Sequence, residues 1–212
     1  MALSKFLDPK NDVAFRRIFG TEKNKDILIH FINDVLELKN GDRIKDVTFL
    51  PTIQIPEIAA KKQSIIDVLC KDENGVQLII EMQVSPQEGF EKRAQYYAAK
   101  AYSRQLNKGS GEGARYIDLK AVIFIAIIDN IIFKDKIFYK SDHIILDKES
   151  YAHDLQDFSF TFIELPKFKI TDIDLLTNLT DLVGVWPPCL QSLPMLHFPS
   201  IIILPISCFS TK

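Results

Sequence analysis

Strong charge of either sign is missing from this 212-residue chain: 26 lysines and arginines face 28 aspartates and glutamates, a formal net charge of -2. A basic isoelectric point would favour nucleic-acid binding over the whole surface; without one, any polyanion contact must rest on a local patch. Cysteine is scarce as well. Cys70, Cys189 and Cys208 fall at no spacing suited to zinc or to a disulfide framework, which reads as reduced, cytoplasmic life. The opening residues, Met-Ala-Leu-Ser-Lys-Phe-Leu-Asp, lack the apolar core of a signal peptide. The apolar run Phe198 to Pro205 is broken by proline and too short for a span, so no membrane association is expected. There is no internal repeat and no cofactor-type glycine motif. The four histidines, His30, His143, His153 and His197, show no metal-ligand spacing. Nothing fixes the oligomeric state.

What is present suits one ordinary domain. Apolar residues make up 47% and charged residues 25% of the chain, and a chain of this length buries enough surface to fold without disulfides. The composition changes abruptly near residue 181. Beyond it, residues 182–212 carry Lys212 as their one charged side chain among Asp, Glu, Lys and Arg, yet hold five of the ten prolines. We therefore expect a domain over 1–181 and an atypical, poorly ordered tail over 182–212, such as a frameshifted reading frame would leave.

Along the body, Asn11 or Asp12 is placed to cap a short helix that runs to Phe19 and ends at Gly20. Ile27, Leu28, Phe31, Ile32, Val35 and Leu36 recur at helical spacing and predict a helix over 23–38. Pro51 and Pro56 argue for a loop or an edge strand. Residues 64–70 and 76–84 read as strands, and Asp72-Glu73-Asn74-Gly75 between them is turn chemistry, so the two should form a hairpin. A helix is expected over 88–107, then a buried strand over 119–128, with further strands at 143–146 and 158–165.

The hairpin carries the chemistry. Alternation puts Ile65, Asp67 and Leu69 on one face of the first strand, and Ile79, Glu81 and Gln83 on one face of the second. A loop of odd length centred on Asn74 would set Asp67 opposite Glu81, with Cβ atoms about 5 Å apart; an even loop would shift that register. Two unit charges so placed repel by roughly 3 kcal/mol at an effective dielectric of about 20. A retained proton, an intervening basic side chain or a divalent cation would each relieve this. Acids on paired strands are most often solvated or salt-bridged. If a lysine or arginine neutralises this pair, or the acids point to opposite faces, only the fold reading survives. A cation would use Asp67 and Glu81 as ligands with the Met82 carbonyl as a third, and Gln83 would position a water or a phosphate oxygen.

The segments Asn11 to Gly20, Ile66-Asp67-Val68, Ile80 to Val84 and Arg93 to Tyr102, in this order and spacing, resemble the recombination-promoting nucleases, also described as PD-(D/E)XK nuclease family transposases. The resemblance spans residues 6–170. It implies an α/β, restriction-endonuclease-like mixed sheet with a central hairpin, flanked by helices. It also implies a DNA endonuclease using magnesium, with calcium or manganese as alternatives, tied to transposition, recombination or phage defence. Asp67 matches the motif aspartate and Glu81 the acid of the (D/E)XK element. Gln83 stands where the wider superfamily has lysine, and glutamine lends neither charge nor a proton. Asp12 would approach from the first helix unless it serves as the helix cap. Arg93, Tyr97, Lys100 and Arg104 form a helical stripe suited to DNA phosphates, or to plain solvation. The alternatives are an inactive transposon remnant and a non-catalytic DNA-binding module.

Overall fold

The computed structural model describes residues 6–54, 64–106, 115–168 and 204–205. In chain order these form β1 (Phe6–Leu7), α1 (Asp12–Phe19), α2 (Lys25–Val35), β2 (Val47–Phe49), β3 (Ile53–Gln54), β4 (Ser64–Ile65), β5 (Val68–Asp72) and β6 (Gln77–Gln83). After them come α3 (Phe90–Arg104), β7 (Val122–Ile128), β8 (Lys140–Ile144), β9 (Phe158–Glu164) and β10 (Leu204–Pro205). Six strands make one mixed sheet in the order β2-β5-β6-β7-β9-β8; β3 pairs with β4, and β1 with β10. This is the α/β, restriction-endonuclease-like arrangement expected. Apart from Leu204–Pro205, the expectation for residues 182–212 lies outside the described residues.

The turn chemistry explains the hairpin. The Asp72 side chain accepts the Asn74 and Val76 N–H groups at 2.9 and 2.8 Å, and Gly75 adopts φ +85°, which a side chain would resist. After β6 the chain returns through α3 to β7, which lies parallel to β6, as a crossover helix permits.

The sheet is covered on both faces. Phe15, Ile18 and Phe19 of α1 join Leu28 and Ile32 of α2 against Val68, Cys70, Leu78, Ile80 and Ile125. On the other face Phe90, Ala94, Ala98 and Ala101 of α3 meet Leu69, Ile79, Phe124, Ala126 and Ile128. The alternation of neighbours along β5, β6 and β7 between these two cores is the period-2 pattern of strands. Val122–Ile128 is almost wholly buried, which accounts for its unbroken apolar sequence.

Two expected strands differ from those observed. The segment 64–70 is interrupted at Ile66 and Asp67, because the Ile66 N–H turns to the Thr52 carbonyl at 3.1 Å. The strand expected at 143–146 begins earlier, at Lys140, where polar residues on an edge strand hide it from a hydrophobicity reading.

Asn33 fixes α2 to the segment that leads into β2. Only 2% exposed, its amide donates to the Ile44 carbonyl and accepts the Ile44 N–H, both at 2.8 Å. Asn33→Ala leaves two buried backbone groups unpaired, so urea denaturation should register a loss of about 2–4 kcal/mol. A loss under about 0.5 kcal/mol would show that water replaces the amide at no cost.

Candidate active site

The site begins where β5 leaves β6. Their ladder pairs Val68 with Ile80, Leu69 with Ile79, Cys70 with Leu78 and Lys71 with Gln77. This register is centred on Asn74, and one further step sets Asp67 against Glu81, the pairing an odd loop requires. Backbone bonding stops at that step and side chains take over. The Asp67 N–H donates to Glu81 Oε1 at 3.2 Å, and the Met82 N–H donates to Asp67 Oδ2 at 3.0 Å. Each carboxylate thus closes a backbone donor of the opposite strand. Both acids are buried, Asp67 at 8% and Glu81 at 5% exposure. Buried carboxylates persist only with hydrogen bonds or counter-charge, and here both are supplied.

The counter-charge comes from two helices. Arg16 of α1 donates to Asp67 Oδ1 through Nε at 3.0 Å and Nη2 at 2.9 Å. Arg93 of α3 sits 3.8 Å from Glu81 Oε2. The acids therefore converge, as the metal reading demands, but Arg16 already neutralises Asp67, the circumstance in which the sequence reading left the fold alone standing. The metal reading is kept open by the exposure of the Arg16 side chain, 48%, which makes that counter-ion displaceable. Burial, and then the charge of Asp67, push the Glu81 carboxyl up to about 8. Burial and then Glu81 also raise the Tyr97 hydroxyl.

Asp12, Asp67, Glu81, Met82, Gln83 and Arg93 line a cavity of about 260 Å³. Asn11 takes the helix-cap role, its side chain accepting the Val13 and Ala14 N–H groups, so Asp12 is left to face the cavity. In a strand a residue's N–H and C=O point to the same neighbour, so the Met82 carbonyl lies on the Asp67 side. Gln83 Oε1 accepts Arg93 Nη2 at 2.5 Å, and its Nε2 donates to the Ser85 carbonyl. Lys100 and Arg104 lie farther along α3 and do not line the cavity; Lys100 Nζ stands 5.8 Å from the Tyr96 ring centre. Among the described residues, no three Asp, Glu, His or Cys side chains group closely enough to cage a metal. The donors present, two carboxylates and a carbonyl, do match magnesium, which keeps several waters and takes one or two carboxylates.

Two contributors escaped the sequence reading. Arg16 lies four residues after Asp12, on the same exposed stripe of α1, and that spacing was the available signal. Lys10 Nζ bonds Asp129 Oδ2 at 2.8 Å, tying the entry to α1 to the end of β7. Asp129 is itself adjacent, its N–H donating to the Gln83 carbonyl at 2.9 Å.

The raised Glu81 carboxyl has a sign that can be checked. The folded state holds a proton between about pH 4.5 and 8 that the unfolded chain releases, so this contribution to stability is full below that window and lost as pH rises through it. In chelator, urea midpoints of wild type should fall relative to Glu81→Gln between pH 5 and pH 8. A constant difference would show that Glu81 titrates like a surface acid.

No curated protein and no solved structure gives a match to this chain. Among the described residues no helix is long and apolar enough to cross a membrane. A family model does match, that of the PD-(D/E)XK nuclease family transposases, and it runs over residues 9–192. That span includes both acids, Gln83 and the helices α1, α2 and α3, and the chain belongs to this family.

Proposed function

We propose that this protein is a divalent-metal-dependent endonuclease that hydrolyses DNA phosphodiester bonds during transposition, recombination or defence against phage. One observation carries the reading: Asp67 and Glu81 interlock across adjacent strands at the floor of a polar cavity. Membership of the nuclease family supports it. Magnesium is the expected ion, with manganese or calcium as alternatives, and Asp67, Glu81 and the Met82 carbonyl are the residues to hold it. When bound, such an ion offers Lewis-acid stabilisation of phosphoryl oxygens and a water of lowered pKa.

The chain's own groups have defined tasks in this reading. Glu81 gives up its proton to become a ligand, so metal affinity is linked to pH. Arg16, whose side chain is 48% exposed, yields Asp67 Oδ1. Asp12 faces the same space from α1, and Gln83 completes the polar wall. Tyr97, Lys100 and Arg104, following Arg93 along α3, offer contacts to DNA phosphates on either side of the cut.

A rival has an observation of its own. Arg16 holds Asp67 through two hydrogen bonds, as it would in a fixed structural network on a DNA-binding module or an inactive transposon remnant. Nicking of supercoiled plasmid separates the two. Cleavage should require magnesium and fall to background in Asp67→Ala and Glu81→Ala, whereas equal trace activity in all three proteins would remove the enzymatic reading.

Calorimetry supplies a second test. If Arg16 and the ion compete for Asp67, Arg16→Gln should tighten magnesium binding about tenfold, a change of roughly 1.4 kcal/mol. Affinity should also rise with pH and level off above about 8, where Glu81 has lost its proton. Binding that weakens in Arg16→Gln, or that ignores pH, would favour the fixed network.

A further inference from the structure

The position two residues after Glu81 is neutral, yet a cation stands there. Arg93 reaches it from α3, with Nη2 on Gln83 Oε1 at 2.5 Å and Nη1 on Gln87 Oε1. Its guanidinium carbon lies 4.7 Å from the Phe90 ring centre and 5.8 Å from that of Tyr97. Two amide oxygens and two aromatic rings fix the group in place, and none of them cancels its charge. The nearest carboxylate, Glu81, is 3.8 Å away, beyond hydrogen-bond distance. Arginine carries five N–H donors; the glutamines take one on each terminal nitrogen, and Nε, although buried, has no partner among the described residues. A cation whose hydrogen bonds all go to neutral groups, and whose ion pair with Glu81 is a loose one at 3.8 Å, keeps donors and charge for an anion that enters.

Resting on the nuclease reading above, we propose that Arg93 is the charge-stabilising catalytic residue, donating to a non-bridging oxygen of the scissile phosphate. Gln83 is its positioning residue. The Gln83 amide is engaged at both ends, its oxygen by Arg93 and its nitrogen by the Ser85 carbonyl, so it presents the guanidinium instead of meeting the phosphate itself. A plain groove contact with DNA would leave Arg93 exposed and would not need two glutamines to aim it; its side chain is only 26% exposed.

Moving the charge tests this. Single-turnover cleavage of a short duplex in magnesium is measured beside equilibrium binding of the same duplex in EDTA, for wild type, Arg93→Gln, Gln83→Ala, Gln83→Lys and the double variant Gln83→Lys/Arg93→Gln. Arg93→Gln should cleave about 100-fold to 1000-fold more slowly, the usual effect of losing one such donor, while duplex affinity changes less than about threefold. The double variant, with an ammonium returned to position 83, should recover at least about tenfold of that loss. A rate loss matched by an equal affinity loss, or no recovery in the double variant, overturns the assignment. Should Arg93→Gln not fold, Gln83→Ala and Gln83→Lys decide: the first must slow cleavage and the second restore it, and wild-type rates in Gln83→Ala reject the proposal. A wild-type chain that cuts no DNA in any divalent ion refutes the nuclease reading alone. Phosphorus NMR titration with inorganic phosphate then decides whether Arg93 is a phosphate donor: binding lost in Arg93→Gln supports that part of the assignment, and binding retained refutes it.

Discussion

Everything at this site depends on an exchange of partners one step beyond the β5–β6 ladder. Asp67 and Met82 offer their backbone N–H groups to side-chain carboxylates where a regular hairpin would offer carbonyls. Charged acceptors make short, strong bonds to backbone donors, so the exchange costs the sheet little and fixes both acids. It also turns β5 aside: Ile66 bonds Thr52, and the strand end moves away from β6. The cavity is lined at this junction by Asp67 on one side and by Glu81, Met82 and Gln83 on the other. A continuous hairpin would have presented the same two acids side by side on a closed surface.

The surrounding framework is anchored at the same end of the sheet. The site lies at the carboxyl ends of the parallel strands β6 and β7, the edge at which open α/β sheets leave a crevice. The loop after β7 is held there by Glu164, fully buried, which accepts the Ile132 and Phe133 N–H groups at 2.7 and 3.0 Å and pairs with Lys167 at 2.5 Å. Lys10 bonds Asp129 on the same loop and so brings the start of α1, with Asp12 and Arg16, over the acids. The Lys10–Asp129 bond ties the start of α1 to the end of β7, beside Asp67 and Glu81.

Much of this was legible in the sequence because it follows from local periodicity. The apolar periodicity of α2, the caps of α1 and the turn at Asp72–Gly75 are short-range patterns, but the sequence left the loop odd or even, and the observed ladder supplies the odd register that sets Asp67 against Glu81. What remained hidden depends on contacts distant in sequence. Arg16 and Asp67 are separated by 51 residues, and no pattern within either segment announces their bond. The break at Ile66 requires Thr52 as a partner. Arg93 was legible as part of a basic stripe suited to DNA, but that stripe does not behave as one surface. Its first member turns into the cavity while Lys100 and Arg104 stay outside it. Helical spacing gives the direction in which a side chain leaves the axis, and a long arginine on a strand-facing flank then follows the nearest acceptors, here Gln83 and Gln87.

The two arginines beside the acids are therefore unlike in kind. Arg16 bonds a carboxylate directly and is half exposed, so its charge is spent on Asp67 and its bond is weakened by solvent. Such a counter-ion is replaceable by any cation that binds the acid better. Arg93 is more deeply set and bonds neutral oxygens, so replacing it by an ion at the acids gains nothing for the glutamines that hold it. The proton on Glu81 belongs with Arg16: both compensate negative charge, and in the proposed function both would be surrendered to a divalent ion held by the two acids. With such an ion bound, Asp67 and Glu81 would balance its charge, and Arg93 would be the basic side chain of the cavity lining that faces an entering phosphate.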